Sequence, residues 1–181
     1  MDLFEVIEKR RSIRRFKPKP LAAKDLKKIV EAGRLAPSGG NRQPWYFIVV
    51  REPKTKRALS VAANNQKFIA DADIVIVALG DPVISTTKLP YKLSSTRIPH
   101  KQDPMIAIEH MVLAATALGY GTCWIGAFSE GEVKGILKIP ENLAVIALVP
   151  IGVPDENPQP RPRKALKEIL FKECYGSPLK P

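Results

Sequence analysis

The sequence predicts a single mixed α/β domain that covers residues 1–181, and three observations support this fold class. Segments with the apolar period of amphipathic helices alternate with short β-branched apolar runs that are typical of buried strands. The composition, with 45% hydrophobic residues, supplies enough apolar material for one sizeable core in a chain of 181 residues. No internal repeat, low-complexity array or domain boundary interrupts the chain.

Two amphipathic helices are predicted in the N-terminal part of the chain. Leu3, Val6 and Ile7 form one apolar stripe at helical spacing. A second helix begins at about Lys24 and is stopped by Pro37. The residues on the apolar face of this second helix are Leu26, Ile29, Val30, Gly33 and Ala36.

Three apolar runs predict the strands. Trp45–Val50 and residues 74–79 are continuous apolar segments rich in β-branched side chains. Continuous apolar runs are typical of strands that are buried on both faces, so both segments are candidates for central strands. Residues 143–151 predict a third strand.

The longest apolar segment predicts a helix that is buried on most sides. We expect Asp103 to cap its N-terminus, Pro104 to take the first helical position and Gly119 to end it. Ser129 and Glu132 have the spacing of a capping box, which would open a short helix before the third strand.

Two segments lack a sustained period. Residues 80–102 contain three prolines and several Ser and Thr residues, which predicts a long loop that either covers a substrate or makes a plain surface excursion. Residues 154–162 are rich in proline and predict an extended tail. With 17 prolines in all, the ends of the chain are suited to wrap around something outside their own globule, such as a second copy of the chain.

Basic side chains are concentrated near both ends of the sequence. Seven Lys or Arg residues lie between Lys9 and Lys19, directly after the first predicted helix. A separate pair, Arg161 and Arg163, lies near the other end. Because guanidinium groups bind phosphate oxygens in a bidentate manner, we expect these two groups to hold one phosphate from two directions.

The overall charge narrows the class of partner without choosing one. A formal net charge of +11 and a pI near 9.8 favour nucleotide cofactors, nucleic acids or membrane surfaces. The N-terminus lacks the basic and apolar regions of a signal peptide, and no window approaches the roughly 18 apolar residues of a membrane span. We therefore expect a cytoplasmic protein with no membrane partner.

Several common active-site patterns are absent from the sequence. There is no P-loop motif, and Trp124 occupies the third glycine position of the one segment that resembles a dinucleotide fingerprint. His100 and His110 lack metal-ligand spacing and a partnered nucleophile, and Cys123 and Cys174 are predicted to be reduced structural thiols. If the chain is an enzyme, we expect a bound organic cofactor and no metal to supply the reactive atoms.

Two loops that contain glycine are candidate binding loops. Residues 36–45 join a helix to a strand, and their glycines, prolines and polar side chains suit contact with the edge of a heterocycle. An ordinary helix-to-strand turn explains the glycines and prolines but not the density of polar groups, which are Ser38, Asn41 and Gln43. In residues 122–128, Gly126 would let a backbone N–H face a ligand ring, although a packed strand with a glycine kink has the same pattern.

Taken together, four segments resemble the nitroreductase family of FMN-dependent oxidoreductases. They occur in the family's order, at residues 10–16, 36–45, 103–126 and 160–164. The resemblance implies an α+β fold, described as a mixed α/β sandwich, with a central and mostly antiparallel sheet flanked by helices. It also implies an intertwined homodimer with two FMN sites at the subunit interface, which fits the proline-rich ends.

The resemblance further implies which residues bind FMN. Those that would hold its phosphate and ribityl chain are Arg10, Arg11, Ser12 and Arg14, with Arg161 and Arg163 closing on the phosphate. Those that would border the isoalloxazine ring of the other subunit are Pro37, Ser38 and Gly39, in a loop shaped by Asn41 and Gln43. The N–H of Gly126, beside Ile125, would point toward flavin N5, and Asn65 matches a ring-contacting amide of the family more loosely.

The implied activity is transfer of a hydride from NAD(P)H through flavin N5 to an electron-poor acceptor, such as a nitroaromatic or quinone, in a ping-pong cycle. Two alternatives stay open. The same flavin scaffold could dehalogenate, dehydrogenate or fragment flavin, or the chain could be a basic nucleic-acid-binding module. Phe68 departs from the family, because some members carry a basic residue at this position; Lys67 is adjacent.

Overall fold

The computed structural model describes residues 1–86 and 98–179. The helices in these residues are α1 (Leu3–Lys9), α2 (Ala23–Arg34), α3 (Pro53–Ala62), α4 (Phe68–Asp71), α5 (Pro82–Thr86), α6 (Pro99–Ala117), α7 (Glu130–Leu137) and α8 (Leu166–Ile169). The strands are β1 (Phe16–Lys17), β2 (Trp45–Val50), β3 (Ile74–Gly80), β4 (Gly121–Thr122) and β5 (Ala144–Pro154).

The strands form one antiparallel sheet. Its order is β1-β5-β3-β2, with β4 also paired to β5, and each of these pairings is antiparallel. The three apolar runs of the sequence correspond to β2, β3 and β5, and β5 continues three residues beyond its predicted end. The antiparallel sheet flanked by helices that the motifs implied is confirmed.

Strand β3 divides the core into two layers. All seven of its residues are buried, and alternate side chains point to opposite faces of the sheet. Val75 and Val77 pack with α3, α4 and α7, whereas Ile74 and Ile76 pack with α2 and α6. Burial of each such side chain stabilises the fold by about 1.5–3 kcal/mol, so the sheet is held from both faces as a sandwich.

Strand β2 lies at the edge of the sheet, which corrects the prediction that it is central. Tyr46 is 46% exposed and Val49 is 37% exposed. A continuous apolar run indicates side chains that favour burial, but it does not determine whether the same chain covers both faces of the strand. Only the strand order reveals that β2 has a single neighbour among the described residues.

Helix α6 begins five residues before the predicted start at Pro104. Pro99 occupies its first turn and Pro104 lies inside the helix, where the missing N–H leaves the His100 carbonyl without an intrahelical donor. Asp103 is therefore not the N-cap. It is 1% exposed, and its carboxylate accepts a hydrogen bond of 3.0 Å from the N–H of Gly39.

The predicted capping box of α7 does not form. Ser129 is the N-cap residue, but its side chain makes no capping hydrogen bond. Glu130 instead accepts a 2.9 Å hydrogen bond from the N–H of Val145, which ties the first turn of the helix to β5. The helix start is therefore fixed by a tertiary contact rather than by the local motif.

The predicted loop at residues 80–102 is partly helical. Its first part forms α5, where Asp81 accepts hydrogen bonds from the N–H groups of Val83 and Ile84 at 2.8 and 3.1 Å. Its last residues belong to α6. The proposed cover falls mainly on residues 87–97, which lie outside the described residues.

Residues 155–165, which we call the C-terminal arm, follow β5 without regular structure, as the prolines predicted. Beyond the arm, the rings of Phe171 and Tyr175 pack at 4.8 Å, while Leu166 and Ile169 are 61% and 57% exposed. Both cysteines are free thiols. Among the described helices, none is long and apolar enough to cross a membrane.

Candidate functional site

Arginines from both ends of the chain line one cavity of about 690 Å³, which we call the arginine cavity. The six residues predicted to hold a phosphate all line it: Arg10, Arg11, Ser12, Arg14, Arg161 and Arg163. Its volume lies within the usual range of small-molecule pockets. The two basic segments, about 150 residues apart in sequence, thus share one site in space.

Strand pairing brings the two ends together. Phe16 of β1 pairs with Pro154 of β5, and Lys17 pairs with Val153. The chain leaves β5 at this point and continues directly into the C-terminal arm. The N–H of Asp155 extends the pairing by donating a 2.9 Å hydrogen bond to the carbonyl of Arg15.

Two paired glycines let the N-terminal segment lie close to the sheet. Gly121 and Gly152 face each other across β4 and β5. A Cβ atom at Gly121 would lie 2.8 Å from side-chain atoms of Ile13, and one at Gly152 would lie 2.9 Å from the ring of Phe16. Ile13 also donates a 2.8 Å hydrogen bond from its N–H to the carbonyl of Thr122, so the backbone beside Ser12 is fixed.

Arg14 rests on an aromatic ring. Its guanidinium carbon lies 5.9 Å from the centroid of Phe68, within the range of a cation–π interaction. Phe68 is partly buried and packs against two core clusters. Phe68 thus supports the Arg14 side chain, a contact that sequence reasoning missed.

A buried thiol lies beside this segment. Burial raises the pKa of the Cys123 thiol, while the nearby Arg14 charge and the Ser12 hydroxyl favour the thiolate more weakly. Cys123 is 2% exposed. At neutral pH the thiol stays protonated, which agrees with its predicted structural role.

The loop at residues 37–43 does not line the arginine cavity of its own chain. Ser38 Oγ accepts a 2.9 Å hydrogen bond from the N–H of Gln43, and the side chain of Gln43 donates to the Asn41 carbonyl at 3.1 Å. Gly40, Asn41 and Gln43 all have positive φ angles, between 52° and 59°. The polar groups that were predicted to contact a ligand, Ser38, Asn41 and Gln43, therefore form hydrogen bonds within the loop. Asn adopts positive φ angles more readily than Gln, so the left-handed conformation is less costly at Asn41 than at Gln43.

The predicted ring-facing glycine is open to solvent. Ile125 pairs with Leu148 through hydrogen bonds of 3.0 and 3.1 Å, which fixes the backbone next to Gly126. A Cβ atom at Gly126 would meet nothing within 4 Å. Gly126 lines a smaller cavity of about 270 Å³ with Lys101 and Phe128.

The distance along the chain links this glycine to the phosphate segment. Thr122, which accepts the hydrogen bond from Ile13, precedes Gly126 by four residues, so the two lie at most about 14 Å apart. Asn65 is exposed and has a φ of 57°. Its neighbour Asn64 donates a 3.1 Å hydrogen bond to the Ala127 carbonyl, and Gln66 donates to the same carbonyl at 3.4 Å, so these two amides hold the backbone beside Gly126.

The two histidines, His100 and His110, do not line the arginine cavity. Nδ1 of His110 lies 3.2 Å from the carbonyl of Ala32, in agreement with a packing role. Burial lowers the pKa of His100, so this side chain is neutral at pH 7. Within the described ranges, no group of three His, Cys, Asp or Glu residues is arranged to hold a metal ion.

Comparisons with known proteins identify the family of this fold. The nitroreductase family model matches residues 7–94 and 58–153. An NADH dehydrogenase of Thermus thermophilus is 32% identical over 188 residues, covering 90% of this chain and 92% of the relative. The crystal structure of a nitroreductase family protein from Clostridium novyi has a TM-score of 0.78 at 37% identity, covering 98% of this chain and 97% of that one.

A second solved structure carries a cofactor in its name. The NADPH:FMN oxidoreductase of Vibrio harveyi, in complex with NAD⁺, has a TM-score of 0.87 at 26% identity, covering 97% of this chain and 78% of that one. The family match, these relatives and the antiparallel α+β sandwich agree with one another. The chain therefore belongs to the nitroreductase family of oxidoreductases, as its motifs predicted.

Proposed function

We propose that this protein is an FMN-dependent oxidoreductase that passes a hydride from NAD(P)H through flavin N5 to an electron-poor acceptor, such as a nitroaromatic or quinone, in a ping-pong cycle. The observation that carries the proposal is the cavity that five arginines from the two ends of the chain line together. When bound, FMN supplies the redox chemistry by accepting and releasing a hydride.

The residues of the arginine cavity suit the FMN tail. A phosphate monoester carries nearly two negative charges at neutral pH and accepts several hydrogen bonds. Five guanidinium groups and the Ser12 hydroxyl supply donors, and they outnumber the two carboxylates that line the cavity, Glu8 and Glu156. The site is therefore cationic enough to hold a phosphate.

The ring end of the cofactor would lie toward Gly126. This residue has no side chain, and the space above its backbone is open. Its N–H is thus accessible to a ring atom, and a nicotinamide or acceptor can stack on the exposed ring face. The chain contributes orientation and hydrogen bonds at this point, and no side-chain nucleophile is required.

We further propose that the working unit is a homodimer with FMN at the interface. The 37–43 loop lines neither the arginine cavity nor the cavity beside Gly126 of its own chain, so contact with the flavin ring would come from the loop of a second copy. Large apolar side chains also face outward, among them Phe4 at 81% and Leu35 at 64% exposed. Phe4 lies in α1, which directly precedes the arginines of residues 10–14, and Leu35 follows α2 and directly precedes the 37–43 loop.

The test begins with the colour of the purified protein. We expect a yellow protein. Under anaerobic conditions, NADH or NADPH should bleach its flavin absorbance, and a quinone or nitroaromatic should restore it. Chromatography of the extracted cofactor should identify FMN. A protein that stays colourless after reconstitution with FMN, and that binds oligonucleotides with steep salt dependence, would support the nucleic-acid alternative.

A panel of acceptors separates the reactions that this scaffold could perform. Reduction of nitro groups and quinones supports the proposed activity. Release of halide from a halogenated aromatic, oxidation of a substrate without NAD(P)H, or breakdown of the flavin would each assign one of the alternative reactions.

A further inference from the structure

A carboxylate lies in the arginine cavity, where it would oppose an anionic ligand. Glu156 lines the cavity, and its side chain is 19% exposed. A negative charge near a phosphate weakens phosphate binding by direct repulsion. Other contacts must therefore favour the position of the Glu156 carboxylate in the cavity.

Glu156 makes these contacts with Arg14 and Arg15. Its Oε1 accepts hydrogen bonds from the backbone N–H groups of Arg14 and Arg15, the second at 3.2 Å. Its Oε2 lies 3.4 Å from Nε of Arg15, whose side chain is 71% exposed and does not line the cavity. The carboxylate is thus compensated by two backbone N–H groups and the Arg15 side chain rather than by a guanidinium group that lines the cavity.

These contacts connect distant parts of the chain at the point where the C-terminal arm begins. Arg14 and Glu156 are 142 positions apart. Between Glu156 and Arg161 the arm has no regular hydrogen bonding, and prolines at positions 158, 160 and 162 restrict its backbone. A stiff segment takes its direction from its anchored end, so the anchor at Glu156 sets where Arg161 and Arg163 point.

We propose that Glu156 is a positioning residue for the FMN phosphate. It holds the backbone of Arg14 on one side and the start of the C-terminal arm on the other, so that the arginines of both segments face one point. The inference rests on the proposed function, because it concerns the same phosphate site.

The sign of the effect of Glu156→Ala distinguishes this role from simple electrostatics. Removal of a carboxylate from the cavity should strengthen FMN binding if only charge matters. Loss of the anchor should weaken it, and we expect the Kd for FMN to rise about tenfold. Glu156→Gln keeps an oxygen that accepts from the two N–H groups, so its Kd should lie between those of the wild type and Glu156→Ala.

Asp155→Ala is a matched control. It removes the same charge one residue away, while the contact of Asp155 with Arg15 is made by the backbone N–H and is retained. We expect FMN binding to be unchanged or slightly tighter in this variant. Riboflavin, which lacks the phosphate, should bind Glu156→Ala and wild type within about twofold of each other, because the ring contacts are elsewhere.

A double-mutant cycle measures the coupling that the proposal requires. In a background of Arg161→Ala and Arg163→Ala, the change Glu156→Ala should weaken FMN binding much less than in the wild type. Full additivity, unchanged or tighter FMN binding in Glu156→Ala, or equal losses for FMN and riboflavin would each overturn the proposal. If Glu156→Ala does not fold, the same criteria apply to Glu156→Gln. A wild-type protein that binds no FMN would instead overturn the proposed function.

Discussion

Replacement of Arg14 by alanine tests the phosphate site most directly. The side chain lines the arginine cavity and rests on Phe68. A hydrogen bond between charged groups contributes about 1.5–3 kcal/mol, so its loss should raise the Kd for FMN about 10- to 150-fold. The exposed cation–π contact contributes about 0.5–1 kcal/mol, so the variant should stay folded.

The assay is titration of the flavin-free protein with FMN, followed by fluorescence, beside a thermal unfolding curve for each variant. Lys17→Ala is the control, since Lys17 belongs to the same basic run, is exposed and does not line the cavity. It should change FMN affinity by less than about threefold at moderate salt, because exposed charges at a distance are screened. If Arg14→Ala and Lys17→Ala bind FMN equally well, Arg14 makes no phosphate contact and the reasoning fails.

Three further substitutions and one control test other parts of the structure. Gly126→Val should leave unfolding nearly unchanged, since a Cβ meets nothing within 4 Å. It should slow NAD(P)H oxidation by about tenfold or more, because the valine side chain enters the space proposed for the flavin ring, while the phosphate contacts still hold FMN. A protein that no longer binds FMN would contradict this expectation. Gly121→Ala should lower the free energy of unfolding by about 1–3 kcal/mol in chemical denaturation, because the added Cβ crowds Ile13. Gly131→Ala is the control: a Cβ at Gly131, in α7, meets nothing within 4 Å, so this change should be neutral or stabilising by up to about 1 kcal/mol. Trp124→Phe removes the 2.9 Å hydrogen bond from the indole N–H to Glu109 and should cost about 1–2 kcal/mol; an unchanged melting temperature would show that the bond contributes nothing.

The strands and the central helix could be predicted because their signals are local. β3 and β5 are apolar enough to be recognised from a few consecutive residues, and all seven residues of β3 are buried. The arginines near the two ends were also visible, because clustered guanidinium groups are uncommon and have a clear chemical preference for phosphate. The order of the four motifs along the chain indicates the family without any information about contacts.

Other features could not be predicted because they depend on what packs next to them. Asp103 before a proline has the local pattern of an N-cap, yet it is buried inside α6 and holds Gly39. Phe68 gave no sign that Arg14 would lie over its ring. Glu156 is an ordinary acidic residue in a proline-rich segment, and only the register of β1 on β5 places its carboxylate against the backbone of Arg14.

The sequence by itself determined the composition of this protein's site: guanidinium groups at both ends, a polar loop with two glycines, and a glycine that follows a predicted buried helix. These follow from side-chain chemistry and backbone freedom, which are properties of residues. The tertiary structure alone decided which of them meet, because strand register and close glycine packing bring the N-terminal segment beside the C-terminal arm and leave the 37–43 loop away from the cavity. Such contacts join residues more than 100 positions apart, and no local pattern encodes them.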